Sequence, residues 1–248
     1  MIKTINLTKY FGEKAAVLDL NLEIPAGELF SMIGPNGAGK STTIKMLVGL
    51  LRPSRGQALI AGHDIGREPV AAKKEIGYIP DFPFLYEKLT GEEFLRFVGR
   101  LYRMEEAELR RRGRHYLELF GLEELRSELI ENYSHGYRQR LVFAAAFLHD
   151  PRILIIDEPM VGLDPRTSRL IKDILAEHCR RGNTVLMSTH TLSVAEELAH
   201  RVGIIHQGKL IAAGSLDELR KQSGVSGRLE EVFLKISSEK ELRNPNNK

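Results

Sequence analysis

The chain has 248 residues, of which 42% are hydrophobic and 28% are charged. This length and composition predict a globular protein with a sizeable core and exclude a collagen-like, low-complexity or wholly disordered chain. The formal net charge of +3 indicates neither a nucleic-acid-binding surface nor a polybasic membrane patch. The single cysteine, Cys179, excludes an internal disulfide and a zinc cage built from cysteines.

The apolar segments are too short to cross a membrane. The most apolar stretch, residues 141–148, is interrupted by His149, whereas a spanning helix needs roughly 18–20 apolar residues. The first four residues lack the long apolar core of a secretory signal. We therefore expect any membrane task to be carried out through a partner.

The first 65 residues predict mainly strands. Every second residue from Leu18 to Ile24 is apolar, as in a half-buried antiparallel strand. An apolar run at 29–33 predicts a short strand that leads directly into Gly34. Residues 41–51 then predict a helix, and residues 58–61 predict another strand.

The region from about 84 to 150 is dominated by helical periodicity. Amphipathic helices are predicted at 92–104, 106–120 and 138–149. The basic run Arg110–Arg114 is surrounded by glutamates, which is typical of a solvated helix face rather than of a nucleic-acid site. This region therefore predicts a compact helical unit.

Strands return in the last third of the chain. Continuous apolar runs at 153–156 and 184–188 predict parallel strands that are covered on both faces, with a helix at 167–181 between them. Residues 202–205 and 209–212 predict a hairpin.

Residues 34–41 form a phosphate-binding motif of the pattern G-x-x-x-x-G-K-[ST] between a predicted strand and a predicted helix. Glycines let the backbone wrap closely, so that its N–H groups and the positive end of the new helix face an anion. We expect Lys40 to reach the β- and γ-phosphates and the Ser41 hydroxyl to ligate Mg²⁺.

Polar residues follow two predicted strands where ligands bind in open α/β sheets. Asp157 ends the strand at 153–156 and predicts a second metal ligand. Glu158 follows directly and predicts the carboxylate that orients the attacking water. His190 follows the strand at 184–188 and predicts a contact to the γ-phosphate. A helix N-cap for the acidic pair and a purely structural histidine are the simpler alternatives.

These motifs, in this order, resemble those of the ATP-binding subunits of ABC transporters, and the resemblance covers nearly the whole chain. It implies an adenine-stacking aromatic at Phe11, with Tyr10 as the fallback, catalytic roles for Glu158, His190 and Lys40, and the approach to the Q-loop at 76–81. The residues that the resemblance assigns to nucleotide binding are Phe11, Gly34, Pro35, Asn36, Gly37, Ala38, Gly39, Lys40, Ser41, Thr42, Ser134 and Gly136. The residues that it assigns to the metal are Ser41, Asp157 and Asp81.

The sequence departs from the family pattern in two segments. Asp81 replaces the usual Q-loop glutamine, and we expect it to act in catalysis by ligating Mg²⁺ or holding a water. In the signature segment, residues 133–137, Ser134 and Gly136 are kept, but His135 replaces a glycine and Tyr137 replaces a glutamine. We expect this signature to work with altered affinity or pH response.

The resemblance implies an α/β fold: a P-loop NTPase (RecA-like) core with a parallel sheet, an N-terminal antiparallel β subdomain and an inserted α-helical subdomain. The implied ATPase domain spans 1–236. Its parts are a core at 1–82 and 151–214, the helical subdomain at 83–150 and a C-terminal helix at 215–236, followed by a polar, frayed tail at 237–248.

The implied function is hydrolysis of ATP with Mg²⁺ to power transport through a separate integral membrane permease. The implied assembly is a homodimer, or a pair with a related ATPase subunit, that sandwiches two ATP molecules at the cytoplasmic face of the cell membrane. No nucleic-acid partner is expected. Residues 227–234 resemble the closing helix of ATPases from the drug- and polysaccharide-exporter branch, which favours export. The alternatives are an importer subunit, a soluble ABC ATPase, or a P-loop kinase or GTPase.

Overall fold

A computed structural model describes residues 1–160 and 162–242 of the chain. The strands, in chain order, are β1 (Ile2–Phe11), β2 (Lys14–Ile24), β3 (Leu29–Ile33), β4 (Arg55–Ile60), β5 (His63–Asp64), β6 (Ile76–Ile79), β7 (Ile153–Asp157), β8 (Thr184–Thr189), β9 (Arg201–His206) and β10 (Lys209–Gly214). The helices are α1 (Lys40–Leu47), α2 (Pro69–Lys74), α3 (Gly91–Leu101), α4 (Glu106–Leu119), α5 (His135–Phe147), α6 (Pro165–Arg180), α7 (Leu192–Leu198), α8 (Leu216–Ser223) and α9 (Leu229–Leu242).

The N-terminal strands form an antiparallel sheet in the order β2-β1-β4-β5. Alternate residues Leu20, Leu22 and Ile24 are buried, as the sequence predicts. The predicted alternation is wrong at its start. Asp19 takes a positive φ of 48°, and the pairing register shifts there, so that Val17 is buried and Leu18 is only half-buried.

The second sheet has the order β10-β9-β3-β8-β7-β6. Strands β6, β7, β8, β3 and β9 are parallel, and β10 returns antiparallel to β9 as the predicted hairpin. The carboxyl ends of β3, β7 and β8 therefore lie side by side. These parallel and antiparallel sheets, with the helices around them, confirm the predicted P-loop NTPase fold.

Helices α3, α4 and α5 pack against one another. From Leu141 to Leu148 every residue of the α5 region is buried, because the helix lies between its helical neighbours and core residues such as Ile79 and Leu154. This burial explains why the most apolar stretch of the sequence falls here. No helix within residues 1–160 and 162–242 is long and apolar enough to cross a membrane.

Several predicted helix bounds are wrong for local reasons. Helix α1 ends at Leu47 rather than at residue 51, because Gly49 takes a φ of 69° and the amide of Leu50 turns back to the carbonyl of Lys45. Helix α5 begins at His135 rather than at residue 138, because the Ser134 side chain caps it.

The C-terminal part forms two helices where the sequence predicts one. Helix α8 ends at Gly224, whose φ is 68°, and α9 then continues to Leu242, into the stretch that the sequence predicts as a frayed tail. Leu229, Val232 and Ile236 of α9 are buried in a common cluster. Residues 243–248 of the predicted tail lie outside the described residues.

Candidate functional site: a phosphate pocket and a facing cleft

The loop between β3 and α1 needs glycine at two positions. A Cβ on Gly34 would lie 2.2 Å from the carbonyl oxygen of Ile205. Gly39 has a φ of 110°, and a Cβ there would lie 2.5 Å from the carbonyl oxygen of Ala16. The loop is therefore pressed against β2 and the β9–β10 hairpin, which fixes its wrapped shape.

Lys40, the first residue of α1, is buried beneath this loop. Its Nζ donates hydrogen bonds to the carbonyl oxygens of Gly34 at 2.7 Å and Pro35 at 3.2 Å. Burial lowers the pKa of Lys40, while the nearby Glu158 and Asp157 act in the opposite direction. The lysine thus holds a partly desolvated positive charge that phosphate oxygens can attract.

The loop opens into a cavity of about 610 Å³, which we call the phosphate pocket. Such a volume suits a nucleotide. Its lining residues are Phe11, Lys14, Ala16, Asn36, Gly37, Ala38, Gly39, Lys40, Ser41, Thr42, Asp81, Phe82, Glu158 and His190. Phe11 lies at the mouth and is 54% exposed, whereas the fallback Tyr10 is not among the lining residues.

Glu158 follows β7 and is held by residues that follow or end β8. Its Oε1 lies 2.8 Å from Nδ1 of His190, and its Oε2 accepts hydrogen bonds from Thr189 Oγ1 at 3.2 Å and from the His190 amide at 3.3 Å. Glu158 also has a positive φ of 55°, an uncommon conformation for a residue with a side chain. These contacts fix the carboxylate where it faces the phosphate loop.

Two further carboxylates lie near this point. Asp157, at the end of β7, is buried and accepts a hydrogen bond from Ser188 Oγ. Burial, together with the negative charges of Asp157 and Glu158, raises the pKa of Asp81. The concentration of negative charge suits a divalent cation.

The residues present fit Mg²⁺. Ser41, Asp81 and Asp157 line a common cleft and offer the hydroxyl and carboxylate oxygens that this ion prefers. Among residues 1–160 and 162–242, no cluster of three His, Cys, Asp or Glu side chains could hold a metal by itself. Mg²⁺ commonly completes its shell with phosphate oxygens and water, so a site that forms together with a nucleotide suits it.

The signature residues lie elsewhere on the surface. Ser134 is exposed and caps α5 by accepting the Tyr137 amide at 3.4 Å, and Gly136 follows in the first turn. In the described part of the chain, neither residue lines the phosphate pocket. The chain thus brings together Lys40, Asp81 and Glu158 with the loop, but not Ser134 and Gly136.

Some site residues escape sequence reasoning. Ser188 and Thr189 end β8 and hold Asp157 and Glu158, but hydroxyl residues at a strand end carry little signal by themselves. Tyr78 is another site residue that the sequence does not single out. It lies near the carboxylates, and burial together with the charges of Asp157 and Asp81 raises its pKa to about 12. Its position two residues before Pro80 in the predicted Q-loop approach was the available clue.

The cleft that Ser41, Asp81 and Asp157 line has a volume of about 720 Å³ and extends between the parallel-sheet core and the helical unit. We call it the docking cleft. Phe82 and Phe84 at its edge are 77% and 85% exposed. Tyr102 and His149 stack at its floor with ring centroids 3.6 Å apart. An apolar cleft edged by exposed aromatics is typical of a protein-binding surface.

Comparisons with known proteins agree with this architecture. The ABC transporter family profile matches residues 17–161. The chain is 41% identical over 223 residues to the daunorubicin/doxorubicin resistance ATP-binding protein DrrA of Streptomyces peucetius, covering 90% of this chain and 68% of that protein. It is 38% identical over 224 residues to the linearmycin resistance ATP-binding protein LnrL of Bacillus subtilis, covering 90% and 72%.

Solved structures show the same likeness. The ATP-binding subunit of an ABC transporter superposes with a TM-score of 0.91 at 36% identity, covering 96% of this chain and 99% of that one. A dimeric ATP-binding cassette in a post-hydrolysis state with ADP and phosphate superposes with a TM-score of 0.80 at 28% identity, covering 87% and 99%. This chain therefore belongs to the ABC transporter family, as an ATP-binding subunit with ATPase activity.

Proposed function

We propose that the chain hydrolyses Mg-ATP to power export through a separately encoded membrane subunit. The observation that carries this proposal is the carboxylate–histidine pair, Glu158 and His190, facing the lysine loop across one pocket. A P-loop alone serves many reactions, whereas a held carboxylate opposite it suits transfer of a phosphoryl group to water.

In this proposal the nucleotide is bound by the lining of the phosphate pocket. Phe11 stacks on the adenine, and the backbone N–H groups of the loop, Gly34–Thr42, surround the phosphates. Lys40 leaves its two carbonyl partners for the β- and γ-phosphate oxygens. Ser41, Asp157 and Asp81 are the residues that would hold Mg²⁺, which supplies neutralisation of phosphate charge when bound.

Glu158 orients the attacking water by accepting its hydrogen bond. Its contact with His190 keeps the carboxylate from turning away, and His190, which is 56% exposed at its side chain, remains able to reach the γ-phosphate. Positioning and electrostatic stabilisation supply most of the catalysis in this class of reaction. The strained backbone at Glu158 supports the same role, since such strain is concentrated at functional sites.

The proposed assembly is a head-to-tail dimer, either of two copies or with a related subunit. Ser134 and Gly136 are accessible yet remote from the phosphate pocket of their own chain, which suits contact with a nucleotide bound by the partner. The dimeric cassette reported above supports this arrangement. We also propose a division of the chain into a core at 1–82 and 151–214, a helical subdomain at 83–150 and a C-terminal part at 215–236. The separation of the phosphate pocket, which lies on the core, from Ser134 and Gly136, which lie on the helical subdomain, supports this division.

The membrane subunit is proposed to bind in the docking cleft. Phe82 and Phe84 lie one and three residues after Asp81. A segment of the membrane subunit that packs on these phenylalanines can therefore respond to whether the phosphate pocket holds a nucleotide. The resulting location is peripheral, on the cytoplasmic face of the membrane.

Export is favoured by the relatives' names, which refer to resistance against daunorubicin, doxorubicin and linearmycin. Leu229, Val232, Phe233 and Ile236 on α9 also suit the exporter-type closing helix. Import, or a soluble task without a membrane subunit, is the alternative.

The test is reconstitution with the membrane subunit in vesicles whose ATPase faces outward. Daunorubicin serves as the first cargo, and the Glu158→Gln variant serves as the control without hydrolysis. We expect ATP-dependent accumulation in the lumen. ATP-dependent release of preloaded cargo without uptake would overturn the direction, and failure to co-purify with any membrane protein would overturn the transport role.

A further inference from the structure

His135 contacts the segment that follows the catalytic carboxylate. A Cβ built on Gly162 would lie 2.7 Å from Cδ2 and 2.8 Å from Nε2 of the His135 ring. The imidazole therefore lies directly against the Gly162 backbone, and a side chain at position 162 would have to displace the ring. We call residues 162–164, which resemble the D-loop of the family, the D-loop here.

A second contact joins the same two segments. Arg140, further along α5, donates from Nη2 to Oδ2 of Asp164 at 2.7 Å. Asp164 is also the N-cap of α6, accepting the Thr167 amide at 2.9 Å. Hydrogen bonds from Thr167, with that from Arg140, hold the pKa of Asp164 well below its usual range. The D-loop is thus fixed to α6 at one end and to α5 at its side.

The two contacts differ in what they can constrain. The Arg140–Asp164 pair is partly exposed to solvent, and ion pairs in such positions stabilise by little. The His135–Gly162 contact is steric, and it falls between Ser134 and Gly136, the two residues proposed to meet the partner's nucleotide. A movement of the D-loop therefore has to move the signature segment or displace the imidazole.

The geometry points to His135 as a positioning residue that holds the D-loop against the signature segment, so that both meet the dimer partner as one preformed surface. This inference rests on the proposed dimer. His135 thereby has a structural role within its own chain, in addition to its position in the signature segment.

The test is a double-mutant cycle of His135→Gly and Gly162→Ala in the Glu158→Gln background, with ATP-driven dimerisation as the readout. Gly182→Ala is the matched control. Gly182 has a similar φ of 85°, but a Cβ there would meet nothing within 4 Å. Both alanine variants carry the backbone strain, and only Gly162→Ala carries the collision with the imidazole.

We expect Gly162→Ala to weaken dimerisation about threefold more than Gly182→Ala, less than overpacking of a core implies, because the displaced imidazole belongs to an exposed side chain. Adding His135→Gly should remove that excess and leave the Gly182→Ala effect unchanged. An excess that persists when His135→Gly is present would overturn the inference. A Glu158→Gln parent that stays monomeric would overturn the proposed dimer as well, so the two failures are distinguishable.

A second measurement does not depend on the folding of the glycine variants. In the nucleotide-free monomer, His135→Ala should speed hydrogen exchange at the amides of Thr167 and Ser168, which donate to Asp164 of the D-loop, while the amides in the middle of α6 keep their protection. Unchanged exchange at Thr167 and Ser168 would show that the imidazole does not restrain the D-loop.

Discussion

At the residue scale, the charge of Lys40 is poised between two sets of partners. Without a nucleotide it is satisfied by two loop carbonyls, and Asp157 and Glu158 lie close enough to favour its charged form. Binding a triphosphate exchanges neutral acceptors for charged ones, which form stronger hydrogen bonds. The affinity for the phosphates therefore depends strongly on this one side chain.

Replacing Lys40 with alanine should reduce ATP affinity by roughly ten- to a hundredfold, since hydrogen bonds to charged groups contribute about 1.5–3 kcal/mol. Hydrolysis should fall by about a further hundredfold, because stabilisation of the developing charge is lost. Calorimetry and phosphate release measure the two effects. Lys221→Ala is the control, since Lys221 is exposed on α8 and lines neither the phosphate pocket nor the docking cleft. Unchanged ATP affinity in Lys40→Ala would contradict the assignment of the loop.

Substitutions of Asp81 test whether this residue acts in catalysis or is only structural. If it holds Mg²⁺ or a water, Asp81→Ala should lower turnover by at least about tenfold while ADP still binds. Asp81→Gln should keep activity, because the amide oxygen can still coordinate or accept a hydrogen bond. Steady-state ATPase assays with saturating Mg²⁺ distinguish the two variants. Normal turnover in the alanine variant would make Asp81 a structural residue.

The ionised Asp81 side chain should also lower the stability of the nucleotide-free protein, although the same charge serves its proposed role in catalysis. Burial and two neighbouring carboxylates raise the pKa of Asp81 in the folded chain, so its ionised form is less favourable folded than unfolded. The resulting destabilisation begins as the pH rises through the ordinary pKa of an unfolded aspartate, is complete above the raised pKa of the folded chain, and is absent below both. Asp81→Asn should therefore raise the Tm of the nucleotide-free protein at pH 7 and have little effect near pH 3. A Tm difference independent of pH would contradict this origin.

At the scale of elements, the turn that follows β6 joins the phosphate pocket to the docking cleft. Asp81 and Phe82 line both cavities, and Phe84 is almost fully exposed at the cleft edge. Residues 81–84 thus carry a candidate nucleotide contact, Asp81, and a candidate contact to the membrane subunit, Phe84, only three positions apart. Phe82 and Phe84 are largely exposed although they edge an apolar cleft, which fits a surface that a partner covers.

Phe84→Ala should separate hydrolysis from transport. We expect the basal ATPase rate of the chain alone to change by less than about twofold, because Phe84 does not line the phosphate pocket. Co-purification with the membrane subunit should weaken by about tenfold or more, as for a buried aromatic anchor of an interface. The control is Leu234→Ala, an apolar residue of α9 that is 60% exposed. Equal retention of the membrane subunit by both variants would place the interface elsewhere.

The strands and helices of the core were predictable where the periodicity is simple. The short parallel strands β3, β7 and β8 are continuous apolar runs, and their carboxyl ends carry the residues that sequence reasoning selects. Element ends were not predictable from periodicity, because caps and positive-φ residues decide them. Ser134 starts α5 ahead of a His-Gly-Tyr segment with poor helix propensity, and Asp19 shifts the register of β2.

The candidate site was predictable as a set of residues but not as a geometry. Spacing identifies Glu158 and His190 separately, and only the register of β7 against β8 brings their side chains to 2.8 Å. The hydroxyl groups that hold the carboxylates, and the contact of His135 with Gly162, join positions distant in sequence whose residue types are common. Such contacts depend on the assembled fold.

At the scale of the whole molecule, the chain carries two partial sites on different faces. The phosphate pocket holds the lysine, the carboxylates and His190, whereas Ser134 and Gly136 lie outside it. In the proposed head-to-tail pair, the signature residues of each chain would meet the nucleotide in the phosphate pocket of the other. We therefore expect the pair to form only when nucleotide is bound.

Glu158→Gln should therefore trap that pair. The amide keeps the size of the carboxylate and can still accept the hydrogen bond from Thr189, but it cannot take up a proton from water, so ATP stays bound. Light scattering with saturating Mg-ATP should report twice the monomer mass. The control Glu230→Gln, on an exposed residue of α9, should hydrolyse ATP normally. Combining Lys40→Ala with Glu158→Gln should return the monomer, since the pair forms around bound phosphates. A monomer in the Glu158→Gln variant alone would count against the composite site.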